Sequence, residues 1–509
     1  MPVAQRVIDR GGDPDTSGGL ALLDDGSSRT YGELSADVLA AARHLSSSVQ
    51  RDGLVALCLD DPAATVVALL AVDRLGATAL VCDPQWSAAH RETVLRAVRP
   101  DTTILTALPR GTSAPGPEAS ARSAPDPGAP DPSTPGEEPR GAPTAARPDP
   151  AARPWAGFSS GSTGRPRAVT RTRRSWTDSF DALSRAIGLR PGDTVLVPGS
   201  LASSLTCFAV VHALAEGVTV RVGTRGRHLA AALPDVDLVH CVPSVAQDVL
   251  DAIESGVPSR VRTLVVGGAS TSPELRSRAA RLGVDVVAYY GAVELSFVAL
   301  DTDGAGLVPF PGVEVEIRPA DGASRLGQVW VRSPYVADGY LADAVGPLAR
   351  DGSWATVGDL AEMPPAPGAP LVLRGRGDGA ILTGGSTVVP EDVEVVLRRV
   401  PGVRDVVVVG STHRRLGAVV TAVVEADPRP GLRATLERAA RSHLTAQQRP
   451  RRWYRTGMLP RTASGKPARA AVSERLQGER PGGDLAPPAT QGSARTESTG
   501  LEHGFEALR

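Results

Sequence analysis

Between Thr30 and Leu105, short unbroken apolar runs alternate with stretches whose apolar residues recur every three or four positions. The stretch beginning Tyr31-Gly32-Glu33-Leu34 places Leu34, Val38, Leu39, Ala42 and Leu45 at helical spacing, which predicts a helix to about Ser48. Leu54-Val55-Ala56-Leu57-Cys58-Leu59 has no polar position, as a strand buried on both faces requires. Residues 62–75 read as a second helix, and Thr78-Ala79-Leu80-Val81-Cys82 as a second buried strand. Strand and helix in turn predict a parallel sheet with helices on its faces.

The alternation resumes at Trp155, with strands expected at 195–197, 218–220, 238–240, 264–266 and 284–287. Residues 313–318 and 328–332 suggest a more antiparallel region. Beyond Arg376, a helix at 390–399, β-rich runs at 403–409 and 418–424, and a helix at 432–443 form an α+β unit of about a hundred residues, the size of a small domain. The expected architecture is α/β: a large N-terminal domain over 1–374 with parallel-rich sheets, and a small mobile α+β domain over 375–473. Two segments stand outside it. Residues 109–154 are almost all Pro, Ala, Gly, Ser, Thr, Asp, Glu and Arg, a composition that cannot offset its ordering entropy and predicts a disordered insertion. Residues 474–509 are expected to be a disordered tail.

Composition narrows the classes. Apolar residues make up 41% of the 509, which suits a soluble chain with a sizeable core. A net charge of −1 gives no basis for a nucleic-acid or membrane-surface partner, and 4% aromatics argue against base-stacking platforms. Cys58, Cys82, Cys207 and Cys241 lack CxxC spacing and read as reduced core residues. The first residues, Met1-Pro2-Val3-Ala4-Gln5-Arg6, lack a signal-type apolar core and no apolar run reaches spanning length, so a cytoplasmic location is expected. The eight histidines form no ligand cluster; His212 and His240 lie in apolar segments and read as core.

Two features carry candidate chemistry. In Phe158-Ser159-Ser160-Gly161-Ser162-Thr163-Gly164-Arg165-Pro166-Arg167, hydroxyls and backbone N–H groups can converge on an anion, with arginines adding charge. The pattern GxxxxGK[ST] is absent, and a plain Gly/Ser linker is the alternative reading. The second feature is Lys466, the only lysine among 55 lysines and arginines, in Pro460-Arg461-Thr462-Ala463-Ser464-Gly465-Lys466. An ammonium is a compact point charge on a slim stem and a guanidinium a broad fork, so a slot between two ligand oxygens can require the first and reject the second. On composition alone, a chance surface lysine is the simpler reading.

The motifs around these features reverse that preference. The 159–164 loop resembles the phosphate-binding signature of the acyl-adenylating superfamily, which includes acyl-CoA ligases, luciferases and peptide-synthetase adenylation domains. Thr30-Tyr31-Gly32-Glu33-Leu34, Tyr290-Gly291-Ala292-Val293-Glu294, Gly358-Asp359, Gly375-Arg376-Gly377-Asp378, Gly384-Gly385 to Glu394, and Pro460 to Lys466 resemble further motifs of that family, in its order. Each is weak alone, but the ordered set, covering about 28–470 without the insertion, is specific.

The resemblance implies roles. Ser159, Ser160, Gly161, Ser162, Thr163 and Gly164, with Arg167, would hold ATP phosphates. Tyr290 and Gly291 would lie at adenine, with backbone at Gly267, Gly268 and Ala269 lining the base. Glu294 would ligate Mg²⁺ and Asp359, assisted by Arg376, would bind the ribose hydroxyls. Asp378 would be the hinge, Gly384 and Gly385 would line the coenzyme A channel, and Lys466 would bridge the substrate carboxylate and the α-phosphate. The implied activity is an ATP-dependent ligation of a carboxylic acid to coenzyme A. Alternatives are loading of a carrier protein, a single half-reaction, or a silent acyl-nucleotide binder. Three departures bear on this: Arg167 stands for the usual Lys, Val293 for the usual Thr, and Leu201-Ala202-Ser203-Ser204 for a segment that commonly carries an aromatic or His.

Overall fold

Thr30 starts the first long helix by a reciprocal cap: its hydroxyl accepts from the Glu33 amide at 3.2 Å, and the Glu33 carboxylate accepts from the Thr30 amide at 2.8 Å. The helix Tyr31–Leu45 then buries Leu34, Val38, Ala42 and Leu45 of the stripe its spacing predicts, while Leu39 is half-buried. The computed structural model of the chain describes residues 2–111, 149, 151–159, 167–224, 227–268, 271–319, 326–342, 344–366, 368–376, 379, 381–383, 386–413, 417–444, 448–462, 465–478 and 505–508. Most of the expected insertion, 112–148 and 150, lies outside the described residues.

The chain gathers into two compact units, the first comprising Met1–Gly157, Ala168–Val287 and Pro334–Asp343. One of its sheets runs Thr263–Val266, Leu238–Cys241, Thr194–Val197, Thr219–Val222, Leu20–Leu23, all parallel, with Ser28–Thr30 antiparallel at the edge. The other runs Arg167–Arg171, Trp155–Ser159, Thr78–Val81, Leu54–Leu57, Thr102–Ile104, and its last four strands are parallel. Thr78–Val81, Leu238–Cys241 and Thr263–Val266 are buried at every position, so their sequences carry no alternation. The helix Val3–Gly12 was not expected; it buries Val3, Ala4 and Val7, and the Ala4 amide donates to Asp73 at 3.0 Å.

The second unit comprises Phe158–Arg167, Ala288–Ser333 and Ala344–Arg509. An antiparallel sheet orders Ala349–Asp351, Trp354–Thr356, Leu326–Arg332, Asp359–Glu362 and Leu373–Arg376, with Glu314–Pro319 also paired to Leu326–Arg332. A mixed sheet orders Ser386–Val388, Ile381–Thr383, Gly417–Ala426, Arg452–Thr456 and Glu506–Ala507, with Val403–His413 paired to Gly417–Ala426. Alternation sends Val406 and Val408 to one face, packed with Val393, Leu397 and Leu436 of the helices Pro390–Arg398 and Leu432–His443. Val407 and Val409 face the other way, toward Leu459, Val472 and Phe505.

The expected class, parallel-rich α/β sheets followed by a smaller α+β region, is the observed one. The tail expected from 474 onward is corrected at its two ends only, since 479–504 and 509 lie outside the described residues. The helix Arg469–Gly478 runs through its start, and Glu506–Ala507 pairs with Tyr454 and Arg455 near its end. A two-residue strand has no periodicity of its own, so its order comes from the sheet edge it joins.

Candidate functional site

Tyr290 stands near the end of the strand Asp285–Ala292, opposite Ala299 of Ser296–Asp301. One residue on, the register shifts, so that Gly291 faces Phe297 and Ala292 faces Ser296. A Cβ at Gly291 would collide with the Ser296 carbonyl oxygen, so this irregularity demands glycine. The turn that follows closes where the Leu295 amide donates to the Ala292 carbonyl at 3.1 Å. It holds Glu294 at 2% exposure, while Val293 is half-buried.

Asp359 opens the strand Asp359–Glu362 and is buried. The Tyr290 hydroxyl donates to its Oδ2 at 2.6 Å. Antiparallel register sets Arg376 directly opposite Asp359. The approach to Asp359 is braced: the Gly358 amide donates to Thr356 Oγ1 at 3.0 Å, and that hydroxyl donates to the Val329 carbonyl at 2.7 Å. Tyr290 and Asp359, on strands of different sheets and 69 positions apart, thus meet through a side-chain hydrogen bond, while Asp359 and Arg376 meet through strand pairing. A fixed carboxylate beside a phenol ring can accept hydroxyl protons from a ligand whose flat part lies on the ring.

Lys466 sits on a separate, closed hairpin. Arg461 bridges Pro467, the Thr462 amide donates to the Lys466 carbonyl at 2.7 Å, and the Ala468 amide donates to the Pro460 carbonyl at 2.7 Å. Gly465 has φ of +81°, in the left-handed region that glycine enters without strain. Lys466 is half-buried. Arginines anchor both arms: Arg461 reaches Glu425 at 3.1 Å and Asp405 at 3.2 Å, and Arg469 reaches Glu394 at 2.7 Å and Glu391 at 2.9 Å. Glu425 also accepts the Leu459 amide at 2.9 Å, and Glu394 the Val408 amide at 2.8 Å. Burial pushes the Glu391 carboxyl above its ordinary range, with Arg469 opposing that shift. Sequence reasoning missed this anchoring set, because its acids lie 36 to 78 positions away from the arginines they hold.

Of the anion loop, Ser159 ends the strand Trp155–Ser159 and Arg167 begins Arg167–Arg171. Ser160, Gly161, Ser162, Thr163, Gly164, Ala269, Asp378, Gly384 and Gly385 lie outside the described residues. Gly268 is exposed, with φ of +82°, two residues after the strand Thr263–Val266. Among the described residues no group of three His, Cys, Asp or Glu could hold a metal ion. A single buried Glu294 fits Mg²⁺ in one way, since that ion is commonly held by one or two carboxylates together with substrate phosphates. His212 and His240 are core residues: burial lowers them to about 3 and about 4, and His212 Nε2 lies 2.8 Å from Ser184 Oγ. Among the described residues no helix is long and apolar enough to cross a membrane.

The family profile described as AMP-binding enzyme matches residues 15–341, and that of the AMP-binding enzyme C-terminal domain matches 392–466. An uncharacterized acyl–CoA ligase of Bacillus subtilis (strain 168), YhfT, is 31% identical over 341 residues, covering 64% of this chain and 68% of that protein. A probable 2-succinylbenzoate–CoA ligase of Mycobacterium tuberculosis (strain ATCC 25618 / H37Rv) is 30% identical over 335 residues, covering 63% of this chain and 84% of that protein. Among solved structures, O-succinylbenzoate coenzyme A synthetase (MenE) from Bacillus subtilis in complex with ATP and magnesium ion has a TM-score of 0.71 at 20% identity, covering 91% and 98% of the two chains. At that identity the likeness establishes the fold.

Proposed function

Because the chain belongs to the family of AMP-binding enzymes, we propose that it is an ATP-dependent acid–thiol ligase. It activates a carboxylic acid as an acyl-adenylate, releases pyrophosphate, and passes the acyl group to coenzyme A with loss of AMP. The observation that carries this reading is the Tyr290–Asp359 hydrogen bond, set beside Gly291 and the buried Glu294 on one strand turn. A phenol ring, a fixed carboxylate and a buried metal-binding acid are the groups that an adenine, a ribose and a magnesium-bound phosphate call for.

The chemistry explains the division of labour. A carboxylate is a poor acyl donor because its leaving group would be oxide. Attack of its oxygen on the α-phosphorus of ATP breaks the bond to pyrophosphate and leaves a mixed anhydride whose leaving group is AMP. Negative charge builds on the α-phosphate oxygens, so positive charge placed there lowers the barrier. Lys466 supplies it, its ammonium set between the acid and the α-phosphate. Arg461 and Arg469 take no part, since both are occupied by acids of their own region. Magnesium supplies the remaining charge neutralisation when it arrives with ATP, and Glu294 is the residue that would hold it. Asp359 and Tyr290 bind the nucleoside, with Arg376 assisting, and the Ser159–Gly164 loop with Arg167 holds the phosphates. Gly268 and Ala269 border the base.

The two half-reactions need different groups at one centre. We place a domain boundary between Arg374 and Gly375, with Asp378 as the hinge and Gly384 and Gly385 at the path of the thiol arm. Four buried free cysteines support a reducing cytoplasmic location. The test is a panel of carboxylic acids with ATP, Mg²⁺ and coenzyme A, read by mass spectrometry for acyl-AMP and acyl-CoA. Formation of acyl-CoA with stoichiometric AMP is expected. ATP-dependent acyl-AMP without acyl-CoA would sink the thiol half of the reading, and absence of both would sink all of it.

A further inference from the structure

The segment Phe505–Leu508 docks beside the region that presents Lys466. Glu506 and Ala507 pair antiparallel with Arg455 and Tyr454, extending the mixed sheet by one edge strand. The Leu508 amide donates to the Trp453 carbonyl at 3.0 Å, and Arg433 donates to the Leu508 carbonyl at 2.8 Å. Arg455 and Glu506 form an ion pair. Phe505 is 8% exposed and packs with Val407, Val409, Val423, Leu459 and Val472, and the Arg475 guanidinium lies 5.8 Å from its ring centre.

Two of those neighbours give the contact its meaning. Leu459 immediately precedes Pro460, where the Lys466 hairpin begins, and Val472 lies in the helix Arg469–Gly478 that leaves it. The main core of this region, built on Val393, Leu397, Val406, Val408 and Leu436, lies on the opposite face of the sheet. Phe505 therefore wedges both roots of the hairpin without being part of the core that holds the sheet and its two helices together. We infer that Phe505 is a positioning residue for adenylation: its ring, held by the Glu506–Leu508 strap, fixes the hairpin from which Lys466 reaches the reacting oxygens. This rests on the ligase reading of Lys466.

The test uses the full chain with Phe505→Ala and Phe505→Leu. With an acid the wild type accepts, Phe505→Ala is expected to slow ATP–pyrophosphate exchange about tenfold through kcat, with KM for ATP unchanged. Thioester formation from pre-made acyl-adenylate should stay within about twofold, and Phe505→Leu should recover most of the lost rate. Amide hydrogen exchange at Thr462, Gly465 and Ala468, all bonded within the hairpin, should accelerate about tenfold in Phe505→Ala while Val408 on the opposite face stays protected. Unchanged exchange at those three amides overturns the inference. So does a matching loss of protection at Val408 with both half-reactions falling together, since Phe505 would then merely hold the domain. If Phe505→Ala does not fold, the same exchange read in Phe505→Leu decides: a smaller acceleration confined to the hairpin supports the inference, and none overturns it. Exchange needs no acid substrate. A wild type that adenylates nothing in the panel, yet loosens at the hairpin on substitution, would sink the ligase reading and the catalytic purpose of the wedge, and leave the wedge itself standing.

Discussion

The hydroxyl of Tyr290 donates to Asp359 Oδ2 at 2.6 Å, joining residues 69 positions apart. The bond fixes the ring and the carboxylate relative to each other before any ligand arrives. A hydrogen bond to a charged group is worth roughly 1.5–3 kcal/mol, so its loss should be measurable. Tyr290→Phe keeps the ring and should weaken ATP affinity by about three- to tenfold through lost orientation. Asp359→Ala removes the proposed acceptor for the ribose and should lower kcat/KM for ATP by about a hundredfold, or near 2.7 kcal/mol. Calorimetric titration with ATP and steady-state kinetics read the two effects. Affinities within twofold of wild type in both variants would mean the pair serves packing alone.

Lys466 gives an unusually clean test, because no other lysine exists in the chain. Lys466→Ala should abolish ATP-dependent product by more than about a hundredfold while sparing thioester formation from pre-made acyl-adenylate. Lys466→Arg should also fail, since the fork of a guanidinium is wider than the point charge it replaces. Acetylation by a lysine acetyltransferase has no other side-chain target, so inactivation should track modification one to one by intact mass. An Arg variant within about threefold of wild type, less than about 1 kcal/mol in the barrier, would show that this ammonium is not at the reacting oxygens.

These positions differ in how legible they were. Buried parallel strands such as Thr78–Val81 and Leu238–Cys241 declare themselves, because burial on both faces leaves short, mostly apolar runs with no alternation. The helix Pro62–Leu75 declares both ends, with Asp61 accepting from the Ala63 and Ala64 amides at one and Gly76 at φ of +76° at the other. Tyr290, Asp359 and Lys466 were readable only as members of an ordered set of motifs. What joins Tyr290 to Asp359 is a side-chain bond across 69 positions, and what sets Asp359 opposite Arg376 is strand register, neither of which a local pattern encodes. The anchoring acids Asp405 and Glu425 were invisible for the same reason: in a chain with 56 acids nothing local marks the ones that will face Arg461. Phe505 was lost inside a polar stretch, since a single aromatic has no period.

The buried histidines predict how stability depends on pH. Burial lowers His212 to about 3 and His240 to about 4, whereas the unfolded chain protonates both near 6.5. Below pH 6.5 the unfolded state therefore binds more protons than the folded one, and stability falls with pH until the folded values are reached. Each group adds a slope of at most about 1.4 kcal/mol per pH unit in that window. Urea unfolding followed by tryptophan fluorescence at pH 7, 6 and 5 should show a steepening loss, and His240→Val should remove about one histidine's share of the slope. A wild-type slope near zero between pH 6 and 5 would mean these rings admit a proton in the folded state.

Val293 offers a gain-of-function test. It is half-buried in the turn that follows Gly291 and directly precedes Glu294, the acid proposed to meet the metal-bound phosphates. Valine and threonine have nearly the same shape, so Val293→Thr adds one hydroxyl to the turn while sparing the backbone, and Ile at this position adds bulk without polarity. If the turn faces the α-phosphate, the new hydroxyl would donate to an oxygen whose charge grows during attack, an interaction worth roughly 1.5–3 kcal/mol when fully formed. Val293→Thr should then raise ATP–pyrophosphate exchange by about tenfold through kcat, with thioester formation from pre-made acyl-adenylate unchanged. Val293→Ile should not accelerate it. An unchanged or slower exchange in Val293→Thr, with thermal stability equal to wild type, would show that this turn does not address the reacting phosphate and would remove Glu294 from the proposed metal site.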